Sequence, residues 1–199
     1  ILTDLNNWKT NHKNLIITGM YSNFEDSKKI TFLKKDGYKI AILNYSYGTN
    51  RIPLPEDMPY AINLLKQEKI KKDIKKAKNQ RANFIIVIPH WGTEYIDVKS
   101  KRQIFWTNFF YNNGVDLVIG AHPHVIQPVE WIKKENNNHK MLVYYSLGNF
   151  VNRSPKAKEN KFRCFLGGMA HIILEKDDNN IKKLKISEAK FIPLITHIY

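Results

Sequence analysis

Apolar positions along the chain fall into two regimes that meet near Gly120. Before it, short apolar runs alternate with stretches of helical spacing. After it, β-like runs follow one another with polar turns between them. Leu15-Ile16-Ile17 is a short run that reads as a strand. Lys29–Leu33 and Lys39–Tyr45 read as two strands joined by the hairpin signal Asp36-Gly37. Pro53, Pro55 and Pro59 make 48–59 a loop. Within Glu68–Lys78, Ile70, Ile74 and Ala77 recur at i, i+4 and i+7 among lysines, which predicts an amphipathic helix with a solvated basic face. Phe84-Ile85-Ile86-Val87-Ile88 is continuous and β-branched, as in a strand buried on both faces. Ser100 caps a second helix through Asn113, with Ile104, Phe105, Phe109 and Tyr111 on its apolar side and Gly114 as its stop. Val115–Ile119 is the next buried strand, so the middle of the chain has α/β grammar. Val125–Lys133, Met141–Leu147, Phe162–Leu174 and Ile181–Ile195 are strand-like. The polar turns Asn136-Asn137-Asn138 and Asp177-Asp178-Asn179-Asn180 between them predict antiparallel pairing.

Composition narrows the classes. A chain of 199 residues suits one domain, and 43% hydrophobic with 12% aromatic residues argues against disorder. Lys+Arg 32 against Asp+Glu 18 gives a net charge of +14. That excess permits polyanion partners. Yet no helix-turn-helix, zinc finger or aromatic single-strand platform is recognisable, so no specific nucleic acid is expected. The single cysteine, Cys164, excludes an internal disulfide framework and a cysteine-cluster zinc site. Its strand-like setting suits packing rather than nucleophilic chemistry. No apolar run is long enough to cross a membrane. The first residue is Ile1, so the natural N-terminus is expected upstream.

Candidate chemistry gathers where predicted strands end. His90-Trp91-Gly92-Thr93-Glu94-Tyr95 follows Ile88, Gly120-Ala121-His122-Pro123-His124 follows Ile119, and Ser146-Leu147-Gly148-Asn149-Phe150 ends a third strand. In an extended segment residues i and i+2 point the same way, so His122 and His124 can converge while Pro123 stiffens the pair. Neutral imidazoles suit Zn, Mn, Fe or Ni, with Glu94 or Glu130 as acceptors for their ring protons. The plain alternative is a set of loop histidines without a ligand. His12, His139, His171 and His197 have no comparable setting, and His139 reads as part of a solvated turn. There is no nucleophile elbow and no phosphate loop.

These stretches, extended to Asp116–Gln127 and Tyr145–Val151, resemble the CapA family of bacterial poly-γ-glutamate capsule biosynthesis proteins, relatives of the calcineurin-like metallophosphoesterases. Gly37–Leu43 and Phe191-Ile192-Pro193-Leu194 also fit the family's layout. The resemblance therefore spans nearly all of residues 1–199 as a single domain. It implies an α/β fold, a four-layer α/β/β/α metallophosphoesterase-like sandwich with a two-metal site between its sheets. The family's first strands carry a metal-binding Asp, an Asn-Leu-Glu motif and an Asn-Asn-His motif, none of which precedes His90 here. The resemblance thus implies a domain truncated at its N-terminus, opening in the helix after those motifs.

By the same resemblance His90, His122 and His124 would be ligands to divalent metal ions (Mn, Zn, Fe or Mg), two in the intact domain. Glu94 would orient a histidine or contact substrate. Asn149 would bond substrate or the groups behind the metal, or simply hold its turn. Gly92 and Gly120 would let the backbone turn tightly beside the site, and Trp91 and Tyr95 would line a pocket or pack. Three neutral imidazoles cannot neutralise two divalent ions, so this polypeptide alone is expected to be inactive or nearly so. Implied partners are an acidic polymer (poly-γ-glutamate) or a phosphorylated small molecule, capsule-synthesis membrane proteins, and a second copy through an exposed sheet edge. The implied setting is the cell surface, with a membrane anchor outside this chain. A non-catalytic accessory or scaffold role in polymer synthesis is the alternative.

Overall fold

The first element is a helix that the hydrophobic pattern does not announce: α1, Leu2–Asn11. Leu5 is its buried anchor and Trp8 stays exposed, its ring 5.1 Å from that of His12. A helix here agrees with what the family resemblance implies. The structure, a computed structural model, describes residues 2–12, 14–135, 138–152, 162–178 and 180–197. Ile1, Asn136 and Asn137 of the first expected polar turn, and Asn179 of the second, lie outside the described residues. The chain divides into two compact units, Ile1–Pro89 and His90–Tyr199.

In the first unit, the strand expected at Leu15-Ile16-Ile17 does not form; Leu15 and Ile16 are exposed in irregular chain. Three apolar residues without a paired neighbour strand have no ladder to join. α2, Phe24–Ser27, is one turn capped by Asn23, whose Oδ1 accepts from the Asp26 N–H at 2.8 Å. β1, Thr31–Lys35, and β2, Tyr38–Ser46, pair antiparallel from Thr31↔Ile42 to Lys35↔Tyr38. Asp36 and Gly37 both take positive φ (50° and 79°), as the short hairpin turn requires. β2 lies between β1 and β3, Phe84–His90. α3, Gln67–Asn79, buries Ile70, Ile74 and Ala77 as its spacing predicts. It also buries Asp73, which is 8% exposed. That carboxylate accepts from Tyr45 Oη at 2.8 Å and from Lys69 Nζ at 2.9 Å. Burial first, then the Asp73 charge, pushes the Tyr45 phenol well above its ordinary pKa.

In the second unit, α4, Lys101–Asn112, begins at a full capping box. Ser100 Oγ accepts from Gln103 N–H at 3.2 Å, and Gln103 Oε1 accepts from Ser100 N–H at 2.9 Å. Its buried face is Gln103, Trp106, Thr107, Phe110 and Tyr111. The expected apolar side is therefore corrected at two positions, because Ile104 and Phe105 are 40% and 49% exposed. The i, i+3, i+4, i+7 stripe is set by the largest rings, and two polar side chains complete it. β4, Leu117–Ile119, runs parallel to β6, Lys140–Tyr144, while β5, Val129–Lys133, runs antiparallel to β6. The antiparallel pairing expected beyond Gly120 is present in β5 with β6, while the parallel partner of β6, β4, belongs to the α/β middle of the chain. β6 is central in this group, and Met141, Leu142, Val143 and Tyr144 are all buried. A 3-10 turn, Phe162–Phe165, replaces the start of the strand expected from Phe162. β7, Leu166–Asp177, and β8, Asn180–Ile195, then form a long antiparallel ribbon. His139 is not a solvated turn residue: its Nε2 lies 2.9 Å from Val115 O and its ring 5.2 Å from that of Tyr111.

Two buried contacts organise this unit. The first is at Gly120, where a Cβ would stand 2.1 Å from Tyr145 O and 2.4 Å from Trp91 Nε1. Lacking one, the chain lets the buried Trp91 indole donate to Tyr145 O at 2.9 Å and stack on the Tyr145 ring at 5.9 Å. Gly120 thus serves a close approach rather than a turn, and Trp91 packs rather than lining a pocket. The second is an amide relay. Gln103 Nε2 donates to Gln127 Oε1 at 2.7 Å, and Gln127 Nε2 donates to Ile96 O at 2.8 Å and Val98 O at 3.1 Å. It pins the loop after β3 to the head of α4.

Gly120→Ala is expected to lower stability by about 2 kcal/mol through overpacking, whereas Gly48→Ala, which meets open space, changes it by less than about 1 kcal/mol. Equilibrium denaturation of the two variants decides this; equal effects would contradict the close approach. Gln103→Leu and Gln127→Leu should each cost about 1–3 kcal/mol by orphaning the other amide. Their double variant should lose less than the sum of the singles, and an additive result in the same measurement would dissolve the relay.

Candidate metal centre

The three strand-end stretches come together within the unit His90–Tyr199. His90 forms a parallel bridge with Ala121, and the Trp91 N–H donates to Ala121 O at 3.0 Å. The Tyr95 N–H donates to Pro123 O at 2.7 Å, so the first two loops are tied along their length. Ile126↔Leu147 and the bond from Gln127 N–H to Ser146 O bring in the third.

His90 and His122 lie with ring centroids 4.6 Å apart, and His122 and His124 at 6.2 Å. The sequence expectation that 122–124 is extended is not met. His122 has φ 105° and His124 φ 60°, both in left-handed backbone that non-glycine residues rarely adopt. The two imidazoles are brought near each other by this tight, strained loop rather than by strand alternation. Gly92, at φ 93°, is the position in the neighbouring loop where positive φ calls for glycine.

Asn149 fixes one of the rings. Its Nδ2 donates to Cys164 O at 2.9 Å and to His124 O at 3.3 Å, which settles the orientation of the amide. Oδ1 therefore faces His124 Nδ1 at 2.8 Å and must accept from it. The Nδ1 proton is thus held, and Nε2 carries the ring's lone pair. Tyr95 stacks on the other side of His124 at 5.8 Å and leans on the buried pair Val125 and Cys164. Of the two uses the sequence allowed Tyr95, lining or packing, the structure shows it packed against His124 and that pair. Partial burial, then the neighbouring charges of His122 and His124, lowers the pKa of His90 although the side chain remains exposed at its edge. Burial likewise lowers that of His122, which is 9% exposed, against an opposing pull from Glu94.

Other expected residues fall elsewhere. Glu94 is exposed and acts on His90 and His122 through its charge. Glu130 is bound to Lys99 at 2.5 Å and is not an acceptor for the histidines. Ser146 is buried and its Oγ accepts from the Gly148 N–H at 3.1 Å, so it stabilises a turn. Cys164 is buried in the 3-10 turn rather than in a strand.

In kind, the donors suit a divalent ion: three clustered imidazoles, one with its tautomer fixed by an amide behind it. In arrangement they do not form a site as they stand. Among the described residues no group of three or more His, Cys, Asp or Glu side chains is arranged to hold a metal ion. Among the same residues no helix is long and apolar enough to cross a membrane.

Comparison with known proteins gives the chain its relatives. The family model "Bacterial capsule synthesis protein PGA_cap" matches residues 3–154. The capsule biosynthesis protein CapA of Bacillus anthracis is 31% identical over 138 residues, covering 67% of this chain and 32% of that protein. The PGA biosynthesis protein CapA of Bacillus subtilis is 30% identical over 149 residues, covering 70% of this chain and 35% of that one. The chain thus spans about a third of the length of these curated relatives. Among solved structures, a Staphylococcus aureus protein assigned as a 5′-nucleotidase aligns with TM-score 0.52 at 16% identity, over 85% of this chain and 30% of its own. That likeness shows the fold, the mixed α/β architecture of the metallophosphoesterase type that the motifs imply. All three strand-end motifs lie inside the matched span, and the chain belongs to the bacterial capsule synthesis protein family PGA_cap.

Proposed function

We propose that the chain supplies the histidine side of a divalent-metal site in a capsule-polymer biosynthesis protein. His90, His122 and His124 are its nitrogen donors. The observation that carries this reading is the Asn149 amide, which holds His124 Nδ1–H at 2.8 Å and leaves Nε2 as the ring nitrogen not used by that bond. Metal-binding histidines commonly have such a partner behind them. The left-handed backbone at both His122 and His124 adds to it, since strain of this kind concentrates at functional sites. Carboxylate donors would come from outside the described residues, as the family resemblance implies. A divalent ion such as Mn, Zn, Fe or Mg would supply Lewis acidity toward a phosphoryl or carbonyl oxygen. Glu94, exposed beside the cluster, would orient a histidine or contact substrate. The capsule role of the named relatives supports a cell-surface setting and an acidic polymer or a phosphorylated small molecule as partner.

That no three donors among the described residues are arranged to hold an ion favours a second reading, a non-catalytic accessory of polymer synthesis. Metal binding and capsule production together separate the two.

Titration calorimetry with Mn²⁺ or Zn²⁺ should show saturable binding that His122→Ala or His124→Ala abolishes and Asn149→Ala weakens by about 10–100-fold. Affinity unchanged in all three variants would refute the site. The chain alone, loaded with Mn²⁺, should hydrolyse bis-p-nitrophenyl phosphate at the metal-only background, because three neutral imidazoles would not neutralise the two ions of a two-metal clamp. In a host that makes the capsule polymer, His122→Ala in the gene that encodes this chain should abolish the polymer. Normal polymer in that strain would leave the accessory reading standing.

A further inference from the structure

The unit Ile1–Pro89 contains a cavity of about 590 Å³ that the histidine reading does not use. A volume of this size is typical of small-molecule sites. Its floor is aromatic and aliphatic: Phe24 and Tyr60, with ring centroids 5.8 Å apart, beside Ile62 and Leu64. Its rim is basic. Lys66, the residue capping α3, and Lys69, Lys72 and Lys76 within it enter the lining at spacings of three, three and four residues.

These lysines are not equivalent. Lys69 is committed to Asp73, at 2.9 and 3.1 Å, and to Ser27 O at 3.4 Å. Lys76 donates to Lys28 O at 2.9 Å. Lys28 pairs with Glu25 at 2.7 Å and lies 3.9 Å over the Phe24 ring. Lys66 and Lys72 make no side-chain hydrogen bond or ion pair among the described residues. The carboxylate of the lining, Asp73, is already answered by Lys69 and Tyr45. An apolar floor is thus bordered by two uncommitted ammonium groups, with no unanswered negative charge in the lining.

We infer that this cavity binds an amphiphilic phosphate ester, its phosphate held by Lys66 and Lys72 and its organic body laid on Phe24 and Tyr60. Lysine ammonium groups are compact, strongly hydrated donors suited to phosphate oxygens. Inorganic phosphate would leave the aromatic floor uncovered, and a neutral apolar molecule would leave the rim unused. The basic face of α3 is then partly a ligand rim rather than wholly a solvated surface. This inference is independent of the histidine site.

The organic body has two sources, an alkyl or isoprenoid chain or a nucleoside. Calorimetry on the full chain in EDTA, which removes any metal contribution, distinguishes them with three probes: dodecyl phosphate below its micelle concentration, AMP and inorganic phosphate. One of the two organic probes should bind saturably at one per chain, at least tenfold tighter than inorganic phosphate. Preference for dodecyl phosphate assigns a chain-like body, and preference for AMP a nucleoside. Lys66→Gln with Lys72→Gln, both exposed positions, should weaken that probe at least tenfold while leaving the melting temperature unchanged. Tyr60→Ala should weaken the organic probe and not inorganic phosphate. The inference is overturned if inorganic phosphate binds as tightly as both esters, if dodecyltrimethylammonium binds as well as dodecyl phosphate, or if the folded lysine variant binds the ester unchanged.

Discussion

The approach of the Trp91 indole to the Tyr145 carbonyl across Gly120 is the contact on which the histidine site depends. Three backbone segments leave three strand ends, and at this point they are locked together. The Gly120 N–H donates to Tyr144 O at 2.7 Å, the Trp91 N–H to Ala121 O at 3.0 Å, and the indole to Tyr145 O at 2.9 Å. Each bond joins a different pair of segments, so none can shift without breaking another. A locked base of this kind lets His122 and His124 hold left-handed backbone, because the surrounding bonds over-determine it.

Where residue type and period agree with burial, the sequence was readable. The run Phe84–Ile88 is a strand with both faces largely covered, the Asp36-Gly37 turn sets the first hairpin, and Ile70, Ile74 and Ala77 form the buried stripe of α3. It was misleading where polar groups take core positions. Gln103 and Thr107 lie on the buried face of α4 because the amide relay satisfies Gln103. A rule that seeks apolar residues then shifts the face toward Ile104 and Phe105, which are exposed. The histidine loop was misjudged for a related reason. Alternation predicts convergence only in extended chain, and the left-handed angles at His122 and His124 follow from bonds to neighbouring loops, which a local pattern does not contain. Membership in the family was legible because its three motifs sit in order at strand ends, all inside the matched span.

Around the histidines, order is imposed by neutral groups. Asn149 spends both of its N–H groups on carbonyls and its oxygen on His124, so its amide is fully used. The Gln103–Gln127 pair does the same for the loop that carries Glu94 and Tyr95. Neutral amides fix imidazole geometry without adding a charge beside the rings. A carboxylate in the Asn149 position could accept from His124 equally well, but it would face Cys164 O and His124 O with no proton to give.

In the unit Ile1–Pro89 the logic is reversed, and a buried charge does the organising. Asp73 stands in the apolar stripe of α3, where an unpaired carboxylate would be costly. Lys69, four residues earlier, and the Tyr45 hydroxyl answer it. The pairing draws Lys69 into the fold and consumes its charge. Lys66 and Lys72, one turn to either side, have no such partner among the described residues and keep theirs beside the aromatic floor. The net charge of +14 is therefore not one uniform property of the surface. One lysine of the row serves folding, and its two neighbours remain available because that one has neutralised the acid that would otherwise compete for them.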